Sequence, residues 1–152
     1  MKNFYEVNQG TICLIKKDKN KTRVIELDED YIINKNINKI MNDSCKSFGS
    51  SLKGRVEGTY NLTGIKYKAP IVLSEYLSII MIPTGSTRGE KCDWINLKYI
   101  EKISSTADNK CIISFINGKN IKFNVSYFII QNQLTKATRL DYNLRKKYER
   151  KN

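Results

Sequence analysis

The run KCIISFINGKNIKFNV, from Lys110 to Val125, constrains this chain most, because an Asn-Gly pair divides two stretches of alternating apolar and polar residues. Both Asn117 and Gly118 tolerate positive φ, so the pair predicts a hairpin with a two-residue loop. That loop sets Ile112 opposite Phe123 and Ser114 opposite Ile121 on one face. A second hairpin is expected about Asn8-Gln9-Gly10, where Tyr5 and Val7 alternate on one side and Ile12 and Leu14 on the other. Arg23 to Leu27 supplies a third strand after a polar turn. Pro70 and Pro83 bracket two more, Ile71 to Leu73 and Leu77 to Ile82, at positions where a missing N–H is tolerated. Trp94 opens a stretch to Ile103 that reads as strand for its first half.

From Ile37 the period changes. Ile40, Met41, Cys45 and Phe48 recur every three or four residues and Gly49 stands where a helix stops, which predicts a helix from about Asn36 to Phe48. Leu52, Val56 and Tyr60 keep helical spacing, yet Gly54 and Gly58 oppose a helix by about 1 kcal/mol each, so this piece reads as loop or frayed helix. Ser126 is a good N-cap, and Ile130, Leu134, Ala137, Leu140 and Leu144 mark one side of a last helix running to about Lys147. No repeat, low-complexity tract or linker interrupts the 152 residues, which suit one domain, 1–152, able to bury a core without disulfides or metal. The expected class is α+β, a mainly antiparallel β-sheet with a central helix and a C-terminal helix.

The chemistry excluded is as informative as the fold. With no histidine, neither a Ser-His-Asp nor a Cys-His arrangement nor a His-ligated metal is possible. The four cysteines, Cys13, Cys45, Cys92 and Cys111, form no CxxC pair and read as core or half-buried thiols. Asp28, Glu29 and Asp30 are adjacent, whereas metal-dependent nuclease chemistry needs carboxylates converging from separate segments. Neither GSSLKG nor TGSTRG matches the P-loop. No catalytic residue, metal or cofactor is expected, and the chain is read as a binding protein rather than an enzyme. The start, MKNFYEVNQGT, lacks the apolar region of a signal peptide, and no apolar run approaches the roughly 18 residues of a membrane span. A cytoplasmic protein with no membrane partner is expected.

Net charge points to the partner. Twenty-seven Lys and Arg against fifteen Asp and Glu give +12. The excess is +1 over residues 1–45, +4 over 46–100 and +7 over 101–152, so the cationic surface lies in the later two thirds. Such a field draws in nucleic acid or an anionic membrane surface. SCKSFGSSLKGR, Ser44 to Arg55, packs small flexible residues and three cations into twelve positions, as a phosphate-gripping surface requires.

That stretch also resembles the ComK family of competence transcription factors, and the likeness continues along the chain. YEVNQGTICLI, SCKSFGSSLKGRVEGT, IKYKAPIVL, the STR before CDWI, and ISFINGKNIKFNVSYFIIQNQLTKATRL follow in the family's order. The resemblance implies a cytoplasmic bacterial activator that binds double-stranded DNA at A·T-rich promoter boxes, largely through the minor groove, as a homodimer or higher assembly. Members of the family continue past the point where this sequence ends, at YERKN, and the extra tail is where a protease adaptor is thought to dock, so an adaptor partner is doubtful here.

A-tracts narrow the minor groove and deepen its negative potential, so inserted arginines read width. Arg55, beside Gly54, and Arg88, among Ser86, Thr87 and Gly89, are the candidates for insertion, with Ser50 and Ser51 as hydroxyl and N–H donors. Alternatively each arginine caps a helix or pairs with Glu57 or Glu90. Lys46, Lys53, Lys66, Lys68 and Lys91 would contact phosphates. Arg145 and Lys146, with Lys147 and Arg150, extend that contact or complement the dipole of the last helix. Tyr60, Tyr67, Tyr76 and Tyr99 read as packing, and Trp94 as a core anchor or part of a subunit interface. Two rival readings remain: an RNA or single-strand binder, and a protein-interaction (anti-activator) module of the same fold.

Overall fold

The computed structural model of the protein describes residues 2–89 and 91–149. Glu90 and Arg150, both named above, lie outside them. Six strands, β1 (Thr11–Asp18), β2 (Lys21–Glu26), β3 (Asp30–Ile33), β4 (Ile71–Ser74), β5 (Ile79–Pro83) and β6 (Trp94–Asn96), form one antiparallel sheet in the order β3-β2-β1-β6-β5-β4. A second sheet holds β7 (Ile100–Ser105), β8 (Cys111–Phe115) and β9 (Asn120–Phe123) in sequence order. Among the described residues three α-helices, α1 (Ile37–Ser47), α2 (Leu52–Thr63) and α3 (Tyr127–Glu149), complete the chain, and a 3-10 turn at Leu97–Tyr99 cuts the strand expected from Trp94 short at Asn96. The class is the expected α+β, mainly antiparallel, with a C-terminal helix. None of the described helices is long and apolar enough to cross a membrane.

The six-stranded sheet is covered on both faces. Leu14, Val24, Ile33, Ile71, Met81 and Trp94 pack on one side against Ile37, Ile40 and Met41 of α1 and Leu52 and Val56 of α2. On the other side Cys13, Ile25 and Ile95 meet Ile113, Phe115 and Phe123 of the small sheet and Ile130 of α3, while Val72, Ile80 and Ile82 meet Ala137 and Leu140 of α3. Double coverage explains why β4, β5 and β6 are buried at every position and, apart from Ser74 and Asn96, apolar throughout. Trp94 is wholly buried in the core.

Four expectations are corrected. The turn after Asn8 exists, with Thr11 N–H donating to Asn8 O at 3.1 Å. Tyr5 and Val7 nevertheless form no strand: Val7 N–H donates to Ser44 Oγ of α1 at 3.0 Å, and Tyr5 Oη donates to Glu26. β1 pairs instead with β2 and β6. The acidic run about Asp30 enters β3, a strand the sequence did not announce, tied to β2 by Arg23 and Asp30 at 2.6 Å.

The Asn117-Gly118 hairpin is offset by one residue. Cys111 pairs with Phe123, Ile112 with Lys122 and Ile113 with Ile121. Phe115 N–H donates to Lys119 O at 2.8 Å and Gly118 N–H to Phe115 O at 2.9 Å, leaving a three-residue loop whose last member, Gly118, has φ +88°. This is a turn followed by a left-handed residue, the commonest alternative to a two-residue loop. Burying Ile113, Phe115 and Phe123 together against the large sheet selects that register.

The fourth correction is α2, a regular helix where a loop or frayed helix was expected. Ser51 Oγ caps it by accepting Gly54 N–H at 2.9 Å, Asn42 Oδ1 of α1 accepts Leu52 N–H at 2.9 Å, and Gly64 ends it at φ +79°. These caps and the burial of Leu52 and Val56 outweigh the two glycines. Replacing Ser51 with Ala is expected to cost about 1 kcal/mol of stability, read as a lower denaturation midpoint at unchanged m-value.

Candidate nucleic-acid interface

The α1–α2 junction places the first group of expected contacts. Ser50 N–H donates to Cys45 O at 3.0 Å and Gly49 N–H to Lys46 O at 3.0 Å, with Gly49 at φ +82°. This paired closure turns the chain sharply into α2. Lys46 is exposed in the last turn of α1 and Lys53 in the first turn of α2, which carries no acid. Ser51 spends its hydroxyl on the cap. Arg55 is half-buried: Nη2 donates to Phe48 O at 3.4 Å, and Nε is buried without an acceptor. The guanidinium therefore braces the end of α1, the helix-capping alternative rather than a side chain standing free on a loop. Glu57 forms no ion pair with it.

The second group converges on one concavity. A cleft of about 390 Å³ is lined by Lys66, Tyr67 and Lys68 on one side and Ser86, Thr87 and Arg88 on the other, with Val56 and Ala69 between them. Topology brings these loops together, because one enters β4 and the other leaves β5, and those strands pair antiparallel from Ile71 opposite Met81. No acidic side chain lines the cleft among the described residues. Val56 and Lys66 also line a neighbouring groove with Glu57, Tyr60, Asn61 and Ile65, where Lys66 Nζ lies 5.6 Å from the Tyr60 ring centre. Lys53, three residues before Val56, shares its side of α2.

Hydrogen bonds from two helices hold both loops. Asn38 Nδ2 of α1 donates to Thr87 O at 2.9 Å. Ser86 Oγ accepts Arg88 N–H at 3.3 Å and Ser86 O accepts Gly89 N–H at 2.9 Å, so Arg88 stands exposed on a closed turn. From α3, Gln133 Nε2 donates to Lys68 O at 2.7 Å and to Pro83 O at 2.8 Å, and Lys136 Nζ donates to Tyr67 O at 2.8 Å. Burial, with Lys68 nearby, lowers the pKa of Lys136. Asn38 and Asn42 are one turn apart on α1, which sets the Arg88 loop and the start of α2 about 6 Å apart along that helix.

Of the residues expected to touch nucleic acid, Lys66, Lys68, Ser86, Thr87 and Arg88 meet in the cleft. Lys91 is exposed on the same loop as Arg88. Ser50, Ser51, Lys53 and Arg55 flank the adjoining start of α2. Arg145 and Lys146 do not join them: they stand about 18 Å further along α3 than Gln133. There Arg145 pairs with Asp141 at 3.1 Å, and Lys146 Nζ lies 5.6 Å from the Tyr142 ring centre.

The tyrosines depart from their packing assignment. Tyr60, Tyr67 and Tyr76 are exposed at 45%, 79% and 94%, and only Tyr99 is buried. Sequence reasoning also missed Asn38, Gln133 and Lys136; the one signal was a glutamine on the apolar stripe of α3. The four thiols are buried and unpaired with one another, and burial raises Cys45 and Cys92 to about 11, far from a reactive thiolate at neutral pH.

Comparison with known proteins returns a family described as ComK protein, matched over residues 2–149. The chain is similar to the competence transcription factor of Bacillus subtilis (strain 168), with 31% identity over 156 residues that cover 95% of this chain and 81% of that protein. No solved structure matches it.

Proposed function

We propose that this chain, which belongs to the ComK family and is a transcription factor of that kind, recognises A·T-rich duplex DNA through the minor groove. The observation that carries this reading is the cleft that sets Lys66 and Lys68 on one pinned loop against Arg88 on another, with no acidic side chain lining it among the described residues. Arg88 is the side chain that enters the groove, where a guanidinium sheds water more readily than an ammonium. Lys66, Lys68 and Lys91 take phosphates, and Ser86 and Thr87 permit close approach. Lys53 adds a further contact. A cation in the first turn of a helix is unfavourable alone and becomes favourable once a phosphate sits beside it. Arg55 supports the junction from behind. Arg145 and Lys146 supply a separate, sequence-independent contact, and activation of competence-type promoters by paired copies is the output proposed.

Titrating labelled A·T-rich and G·C-rich duplexes at several salt concentrations tests this. Affinity should fall linearly in a log–log plot, tighter for the A·T-rich duplex throughout, and Lys66→Ala should reduce the slope by about 1 while weakening both duplexes alike. Equal affinity for the two duplexes at every salt concentration would remove the minor-groove reading. The exposed Tyr60 and Tyr67 beside the cations favour a second reading, base stacking on a single strand. Tighter binding to single strands than to duplex in competition would select it.

A further inference from the structure

We propose that Gln133 is a positioning residue that fixes the separation of the two cation-bearing loops; only its consequence for DNA rests on the function proposed above. Gln133 is 1% exposed, in the stripe of α3 that otherwise buries Ile130, Ala137 and Leu140. A glutamine there costs burial of an amide, which is tolerable only if the amide is used. It is used on both sides. Lys68 O and Pro83 O can only accept, so the NH₂ end of the side chain must face them, and its two hydrogens match two carbonyls.

The two partners differ in stiffness. Pro83 is the last residue of β5 and pairs with Trp94 in the large sheet. Lys68, by contrast, lies outside any strand or helix and has φ +47°, a conformation that a residue with a Cβ keeps only when its surroundings impose it. The imposing contacts visible here are Gln133 on Lys68 O and Lys136 on Tyr67 O. Gln133 thus ties a pliable loop to a rigid strand end from which the Arg88 loop departs. A surface that reads groove width must hold its cations at a set separation, whereas a swinging lysine still binds phosphate but prefers no width.

The test uses Gln133→Leu, which preserves the apolar stripe and removes both donors, with Gln133→Met as a second variant should leucine prevent folding. In the free protein, backbone NMR order parameters over residues 66–69 are expected to fall from about 0.85 towards about 0.6, with those of α1 and of β1 unchanged. In titrations the A·T over G·C preference should fall towards unity while G·C affinity stays within about twofold. Unchanged order parameters over residues 66–69 would overturn the proposal, as would a fall spread evenly over α3 and the sheet, or an A·T preference that survives the substitution. If the unsubstituted protein shows no A·T preference, the DNA reading fails, and the order parameters alone still decide the role of Gln133.

Discussion

Arg88→Ala is expected to weaken binding to an A·T-rich duplex by ~1–3 kcal/mol, roughly 5- to 150-fold, and to change binding to a G·C-rich duplex by only about twofold. Arg88 is exposed, its turn is closed by Ser86, and Asn38 holds the preceding carbonyl, so the substitution removes a presented charge without dismantling the loop. The asymmetry comes from the groove. The negative potential of an A-tract is deepest inside the narrow channel, and a group that enters it loses more there than in a wider one. Arg88→Lys separates charge from shape: it keeps the cation but not the planar, weakly hydrated head, and should recover only part of the preference. Equal losses on both duplexes in the anisotropy titration would make Arg88 a phosphate contact.

The largest effect on stability is expected at Trp94, where replacement by Ala should cost about 3–5 kcal/mol in denaturant unfolding. The indole is wholly buried on the central strand β6, opposite Leu14 of β1 and Pro83 of β5, and faces the helices of the first layer. Removing it leaves a cavity between the sheet and α1 that neither paired neighbour can fill. Against a typical total of about 5–15 kcal/mol, a loss of that size leaves little margin for folding. Trp94→Phe should cost less, since Nε1 is buried without an acceptor and its removal relieves an unpaired donor. A loss under about 1 kcal/mol for the alanine variant would mean that the layer closes over the gap.

How legible the molecule is from its residues depends on the range of the forces involved. The expected helix from about Asn36 to Phe48 is found over Ile37–Ser47, because Asn36 caps it and the apolar period and Gly49 act within one or two turns. Pro70 and Pro83 frame β4 and β5 for an equally local reason, the missing N–H. α2 was illegible because its own glycines argue against a helix and the local Ser51 cap does not outweigh them alone, while the Asn42 bond to Leu52 N–H and the packing of Val56 come from elsewhere in the chain. The hairpin at Asn117 was legible as a hairpin but not in register, since the turn residues permit two loop lengths and only packing on the large sheet chooses between them.

The function divides along the same line. Charge excess, the missing histidine and the order of the motif blocks belong to the chain as written and need no fold to be read. That Lys66, Lys68 and Arg88 share a cleft while Arg55 turns inward was decided by tertiary structure. Antiparallel pairing of β4 with β5 makes neighbours of loops about twenty residues apart, and whether a side chain reaches solvent or a backbone carbonyl depends on which helix ends beside it.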